Sequence, residues 1–122
     1  MNDELKRLQG SWKVVALEVE GQILPASFFT GARVVVNGDD FSALNMGAPY
    51  SGTLTLDAAS DPKKLDLLFK DGPHSGKTSR GIYKLNGNHW KFCLGFAGNG
   101  RPGKFATTAG SGHALETLER ES

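Results

Sequence analysis

Residues 78–96 read TSRGIYKLNGNHWKFCLGF, two runs of apolar, β-branched and aromatic residues on either side of Asn86-Gly87. Asn-Gly between alternating runs is the strongest short-range hairpin signal, because the favoured two-residue turns need backbone conformations that Asn and Gly tolerate. Thr78 to Leu85 and Asn88 to Phe96 are the two arms. On the second arm Trp90, Phe92, Leu94 and Phe96 share one face and Cys93 takes the other. A lone two-stranded hairpin is marginal in water, so this apolar face needs more strands to bury it.

The flanking sequence supplies them. Tyr50 to Asp57 alternates most cleanly, with Tyr50, Gly52, Leu54 and Leu56 on one side. Lys64 to Lys70 repeats the pattern with Leu65, Leu67 and Phe69. Ala32 to Asn37, Phe41 to Met46, Trp12 to Glu20 and Gly112 to Arg120 complete eight expected strands. Sixteen of the 122 residues are Gly, roughly twice the usual share of about 7%, and they fall between the runs. Turns are expected at Gly21-Gln22, Gly38-Asp39-Asp40 and Gly47-Ala48-Pro49, and longer loops at Ala58 to Lys63, Asp71 to Gly76 and Ala97 to Gly103. Short connections favour up-and-down order, and closing the sheet removes both edges. The expected fold is therefore all-β: one domain, residues 1–122, forming a small eight-stranded up-and-down antiparallel barrel. Asn2 to Gln9 is a short N-terminal helix, with acidic residues at its start and Leu5 and Leu8 on one face. Pro25 to Thr30 reads as a second short helix whose Phe28 and Phe29 form a lid.

Composition excludes several classes. Fourteen basic against thirteen acidic residues leave a formal charge of +1, without the basic excess of a nucleic-acid binder. No apolar run is long enough for a membrane-spanning helix. A single cysteine excludes an internal disulfide and a Cys-rich zinc site. The chain as it stands is expected to be cytoplasmic, or exported if a leader was removed, and to be a monomer or weak homodimer.

A short helix followed by Gly10-Ser11-Trp12 at the start of the first strand resembles the signature of the lipocalin and wider calycin superfamily. The residues around it, from Asp3-Glu4-Leu5 to Val14-Val15, together with Gly81-Ile82-Tyr83, Cys93, Arg101-Pro102 and Leu118-Glu119-Arg120, look closest to a small lipocalin-like domain family common in planctomycete-type bacteria. The resemblance implies a barrel whose bottom is closed by Trp12, with Arg120 of the last strand stacked over the indole, and a small apolar or amphipathic ligand inside. Gly10, Trp12 and Arg120 are the structural signature.

Eight strands enclose either a packed core or a cavity for one small ligand. The expected lining is Tyr50, Leu54, Leu56, Leu65, Leu67, Phe69, Tyr83, Trp90, Phe92 and Leu94. Gly52 and Gly81 on the inward side mark either open space or tight bending of the barrel. Arg80 and Tyr83 are three apart on one strand and so face opposite ways. They do not form an inward carboxylate clamp, and Arg33 and Arg80 read as structural. The alternative function is a metal-assisted hydrolase of small esters or lactones with acyl chains. Its weak catalytic candidates are His89, His113 and Glu18, the last on the parity of Trp12 among apolar neighbours. His74 lies in a loop, and His113 and Glu116 are three apart on a strand, so neither makes a preformed site. No His spacing predicts a metal and no cofactor is expected, a divalent metal entering only with the hydrolase. Asp39, Asp40 and Asp57 to Asp61 read as solvated turn carboxylates, Cys93 as a small buried hydrophobe, and Ser111 as no nucleophile elbow. A third alternative is a filled barrel acting as a protein-interaction domain, with Phe28, Phe29, Phe96 and Phe105 as its aromatic patch.

Overall fold

The computed structural model describes residues 3–45, 50–96 and 99–121. The expected Asn2 cap, the strand end at Met46, the turn at Gly47-Ala48-Pro49 and the loop residues Ala97 and Gly98 lie outside these. Helix α1 (Asp3–Leu8) leads into β1 (Gly10–Val19), β2 (Gln22–Ile23), β3 (Arg33–Asn37), β4 (Asp40–Leu44), β5 (Tyr50–Asp57), β6 (Lys63–Asp71), β7 (Thr78–Asn86), β8 (His89–Gly95) and β9 (His113–Arg120). Strands β1 and β3 to β9 pair antiparallel in chain order, and β1 also pairs with β9, closing an eight-stranded barrel. The ninth strand, β2, replaces part of the expected Gly21-Gln22 turn and pairs only with the end of β1.

The decisive hairpin forms one residue out of the expected phase. Asn86 pairs with His89, so the turn residues are Gly87 and Asn88. Only Gly87 has positive φ, 60°, the pattern of a II′ turn with glycine first, which matches strand twist as well as the I′ form does.

The barrel's lower end, beneath α1, is filled. Leu8, Trp12, Tyr83 and Leu118 are all buried there. The Trp12 indole N–H donates to the Leu8 carbonyl at 2.9 Å, and the ring meets Trp90 edge-on at 5.5 Å. Arg120 lies over the Trp12 ring, 4.3 Å from its centroid. Its guanidinium also donates to the Gln9 carbonyl at 2.6 Å and to the Arg7 carbonyl. One side chain thus ties the last strand to the helix and to the floor of the barrel, as Gly10-Ser11-Trp12 and Arg120 implied. Glu4, buried under the helix, accepts from Lys63 at 2.7 Å and from the Tyr83 hydroxyl at 3.1 Å.

Three expectations change here. Pro25 to Thr30 is not an α-helix but a single 3-10 turn, Ala26–Phe28. Phe28 projects into solvent at 69% exposure, while Phe29 is buried in the core, so they do not act together as a lid. The expected aromatic patch is dispersed, since Phe29 is internal and Phe105 lies under the Lys84 ammonium at 4.5 Å. Gly52 and Gly81 mark close approach, not open space. A Cβ on Gly52 would sit 1.8 Å from the Leu68 carbonyl oxygen, and one on Gly81 would sit 2.5 Å from that of Cys93. At Gly52 the register with β6 shifts, a bulge that bends the sheet.

Candidate functional site

A bulge in β1 decides what the barrel holds. Trp12 and Val14 point inward as alternation requires, but the register against β9 slips between Val14 and Ala16. The extra residue reverses the parity, so Leu17 and Val19 point inward. Glu18 is therefore turned out of the barrel, contrary to the expectation from Trp12. Its carboxylate accepts from the Thr107 hydroxyl at 2.6 Å and from the Thr107 N–H at 3.3 Å. It fastens the loop before β9 to the outer wall. Arg101 does the same further along, with Nη1 2.7 Å from the Gly81 carbonyl and Nη2 2.8 Å from Asp66. Cys93, buried beneath this loop, has its thiol pushed up by burial, with a further push from the Glu18 charge, which keeps it a protonated, unreactive filler.

Above the filled floor the barrel contains a cavity of about 410 Å³, within the range of small-molecule sites. Eight of the ten expected lining residues border it: Tyr50, Leu54, Leu65, Leu67, Phe69, Trp90, Phe92 and Leu94. Leu56 and Tyr83 do not. Both face inward, but at the lower end, where Tyr83 is engaged by Glu4 and belongs to the floor. Val34, Phe41 and Ala43 add apolar wall from the far side.

The rim lies at the end away from α1 and carries most of the polar groups. Glu20 and Gly21 form the β1–β2 turn, with Glu20 held at a positive φ of 50°. Its N–H donates to the His113 carbonyl at 3.0 Å, and its carboxylate accepts from the Gly112 N–H at 3.1 Å. His74, from the β6–β7 connection, is stacked between Tyr50 and Phe96, with both centroid distances 5.7 Å. Phe69 meets it at 5.5 Å. This aromatic stack stands at the rim where a helical lid was expected near Pro25. Contacts of this kind contribute about 0.5–1.5 kcal/mol each beyond area burial.

One titratable side chain lies deep inside. Glu116 shares the inward parity of Ala114 and Leu118 and pairs across to Leu17 on β1 and Phe92 on β8. Only 7% of the residue is exposed, and Oε1 has no hydrogen-bond partner among the described residues. Burial alone pushes its carboxyl up to about 7, with no neighbouring cation to restrain it. Trp90 Nε1, on the adjacent strand, is likewise buried without a partner. Two polar groups thus remain unsatisfied on the wall of an apolar cavity, and such groups cost free energy until something pairs with them. Glu116 could be found by the same alternation that places Ala114 and Leu118 inside. Trp90's free N–H needed the structure.

The remaining candidates do not assemble. His89 sits at the lower end, 3.8 Å from Glu119. His113 is at the upper end, on the outer face, with Nε2 3.1 Å from the Gly100 carbonyl. Glu18 is outside, as described. Among the described residues no three His, Cys, Asp or Glu side chains gather as a metal site. Arg80 is exposed and Arg33 pairs with Glu121 at 2.7 Å, so neither enters the cavity.

The fold and site define a closed all-β barrel with a filled floor and a rimmed apolar cavity. No family model, curated protein or solved structure matches the chain in comparisons with known proteins.

Proposed function

We propose that this chain is a lipocalin-like binding barrel that takes one small apolar or amphipathic molecule into the cavity above Trp90. The observation that carries this reading is the apolar, largely aromatic wall around 410 Å³ of space, with its rim at the end opposite the stapled floor. A core that served only stability would gain by filling that volume, since empty space costs dispersion contacts. The interaction domain and the metal-assisted hydrolase lack an assembled patch or ligand cluster among the described residues. At about 30 Å³ per water-sized group, the cavity suits a ligand of about a dozen non-hydrogen atoms, such as decanol. The test is native mass spectrometry of the purified protein offered decanol, with tryptophan emission followed in parallel. A one-to-one adduct with a change in emission that Trp90→Phe removes supports the proposal. A bare mass and unchanged emission at saturating decanol would sink it.

A further inference from the structure

We propose that the cavity selects hydrophobic amines, with Glu116 as the counter-ion of the ligand's ammonium group. This rests on the binding function proposed above and names its ligand class. Three observations carry it. The Glu116 carboxyl is buried on the cavity wall with an unpartnered oxygen, so a donor brought in by a ligand completes it. No Lys or Arg is among the described residues that line the cavity, and its second carboxylate, Glu20, stands at the rim. A fatty carboxylate would therefore meet two acids and no cation. The walls present the rings of Tyr50, Phe41, Phe69, Trp90 and Phe92, whose faces attract cations. A charge-assisted bond to a buried carboxylate is about twice as strong as a neutral one. A neutral alcohol fills the same space without that bond.

The other titratable groups facing the cavity are Glu20 and His74 at the rim and Tyr50 on β5. From the two strands beside Glu116, the residues that pair with it are Leu17 and Phe92, so no other ionisable side chain competes at that depth.

The test compares decylammonium, decanol and decanoate, which share a tail and differ in head group, by competitive titration. At about pH 8, decylammonium is expected to bind about tenfold or more tighter than decanol, with decanoate weakest. Glu116→Gln is expected to bring decylammonium to the affinity of decanol and leave decanol unchanged. Glu20→Gln and His74→Gln are expected to keep the preference. In the wild type the preference should shrink as pH falls towards about 5.5, because a protonated carboxyl offers no charge. Equal affinity for the three heads in the wild type would overturn the amine assignment while leaving the binding barrel standing, and needs no variant to fold. An undiminished amine preference in Glu116→Gln would also overturn it. Failure of all three to bind would remove the binding barrel, and the amine assignment with it.

Discussion

Replacing Glu116 with Gln should change how stability depends on pH, and the size of the change follows from the burial of that one carboxyl. Its pKa in the folded chain is about 7, against an ordinary 4.5. Between those values the folded chain still holds a proton that the unfolded chain has released. Raising the pH therefore favours unfolding, by about 1.4 kcal/mol per pH unit at the steepest. The accumulated loss is about 3 kcal/mol by about pH 8, a large share of the 5–15 kcal/mol typical of a domain. Glutamine has nearly the same shape and does not titrate, so it escapes the penalty. Urea unfolding midpoints of both proteins, taken at intervals from about pH 4.5 to 8, isolate the effect, because every other titrating group cancels in the difference. Relative to the variant, the wild type should lose about 3 kcal/mol across that window, almost all of it above about pH 4.5. A difference that stays constant would mean that Glu116 ionises as an ordinary exposed carboxylate and that its cavity is wet.

Arg120→Ala should cost about 2 kcal/mol in urea unfolding, since it removes the stacking on Trp12 and the donors to two helix carbonyls. Arg120→Lys should recover only part of this, because an ammonium lacks the planar fork. Gly52→Ala places a Cβ 1.8 Å from the Leu68 oxygen and should destabilise by about 1–3 kcal/mol or more, whereas Gly103→Ala, with open space around it, should be nearly silent. His74→Ala removes the middle ring of the rim stack. It should raise acrylamide quenching of Trp90 in a Trp12→Phe background and speed release of decanol, with little change in the unfolding midpoint.

Much of the barrel was legible because its strands are short, alternate strictly and are separated by turn residues. Tyr50 to Asp57 and Trp90 to Phe96 could only bury their faces by pairing, and Gly10-Ser11-Trp12 with Arg120 located the closed end. The legibility failed where one residue shifts the phase. The bulge after Val14 leaves no mark in a run of Val, Val and Ala, yet it turns Glu18 out and brings Leu17 in. Alternation without bulges places the wrong glutamate inside. On β9, where the phase is unbroken, the same rule places Glu116 correctly. The hairpin at Gly87 slipped for a related reason, since Asn-Gly and Gly-Asn both make good turns and overlap at one residue. Tyr83 and Leu56 were assigned the right side of their strands but the wrong height, because parity reports which face a residue takes and not how far down the barrel packing extends. The His74 stack depends on a loop folding back over Tyr50 and Phe96, which no local pattern encodes.

The most direct test of a ligand-holding barrel is to fill the cavity from within. Ala114 lines it from β9, and Ala114→Phe adds an aromatic ring into otherwise empty space. Decanol titration of this variant beside the wild type, each first shown to unfold cooperatively in urea, is the deciding measurement. The expected result is one-to-one binding by the wild type and a loss of about a hundredfold or more in the variant, as a ring displaces most of the ligand's contacts. Equal binding by both proteins would contradict the assignment, because the ligand would then sit somewhere other than the barrel interior.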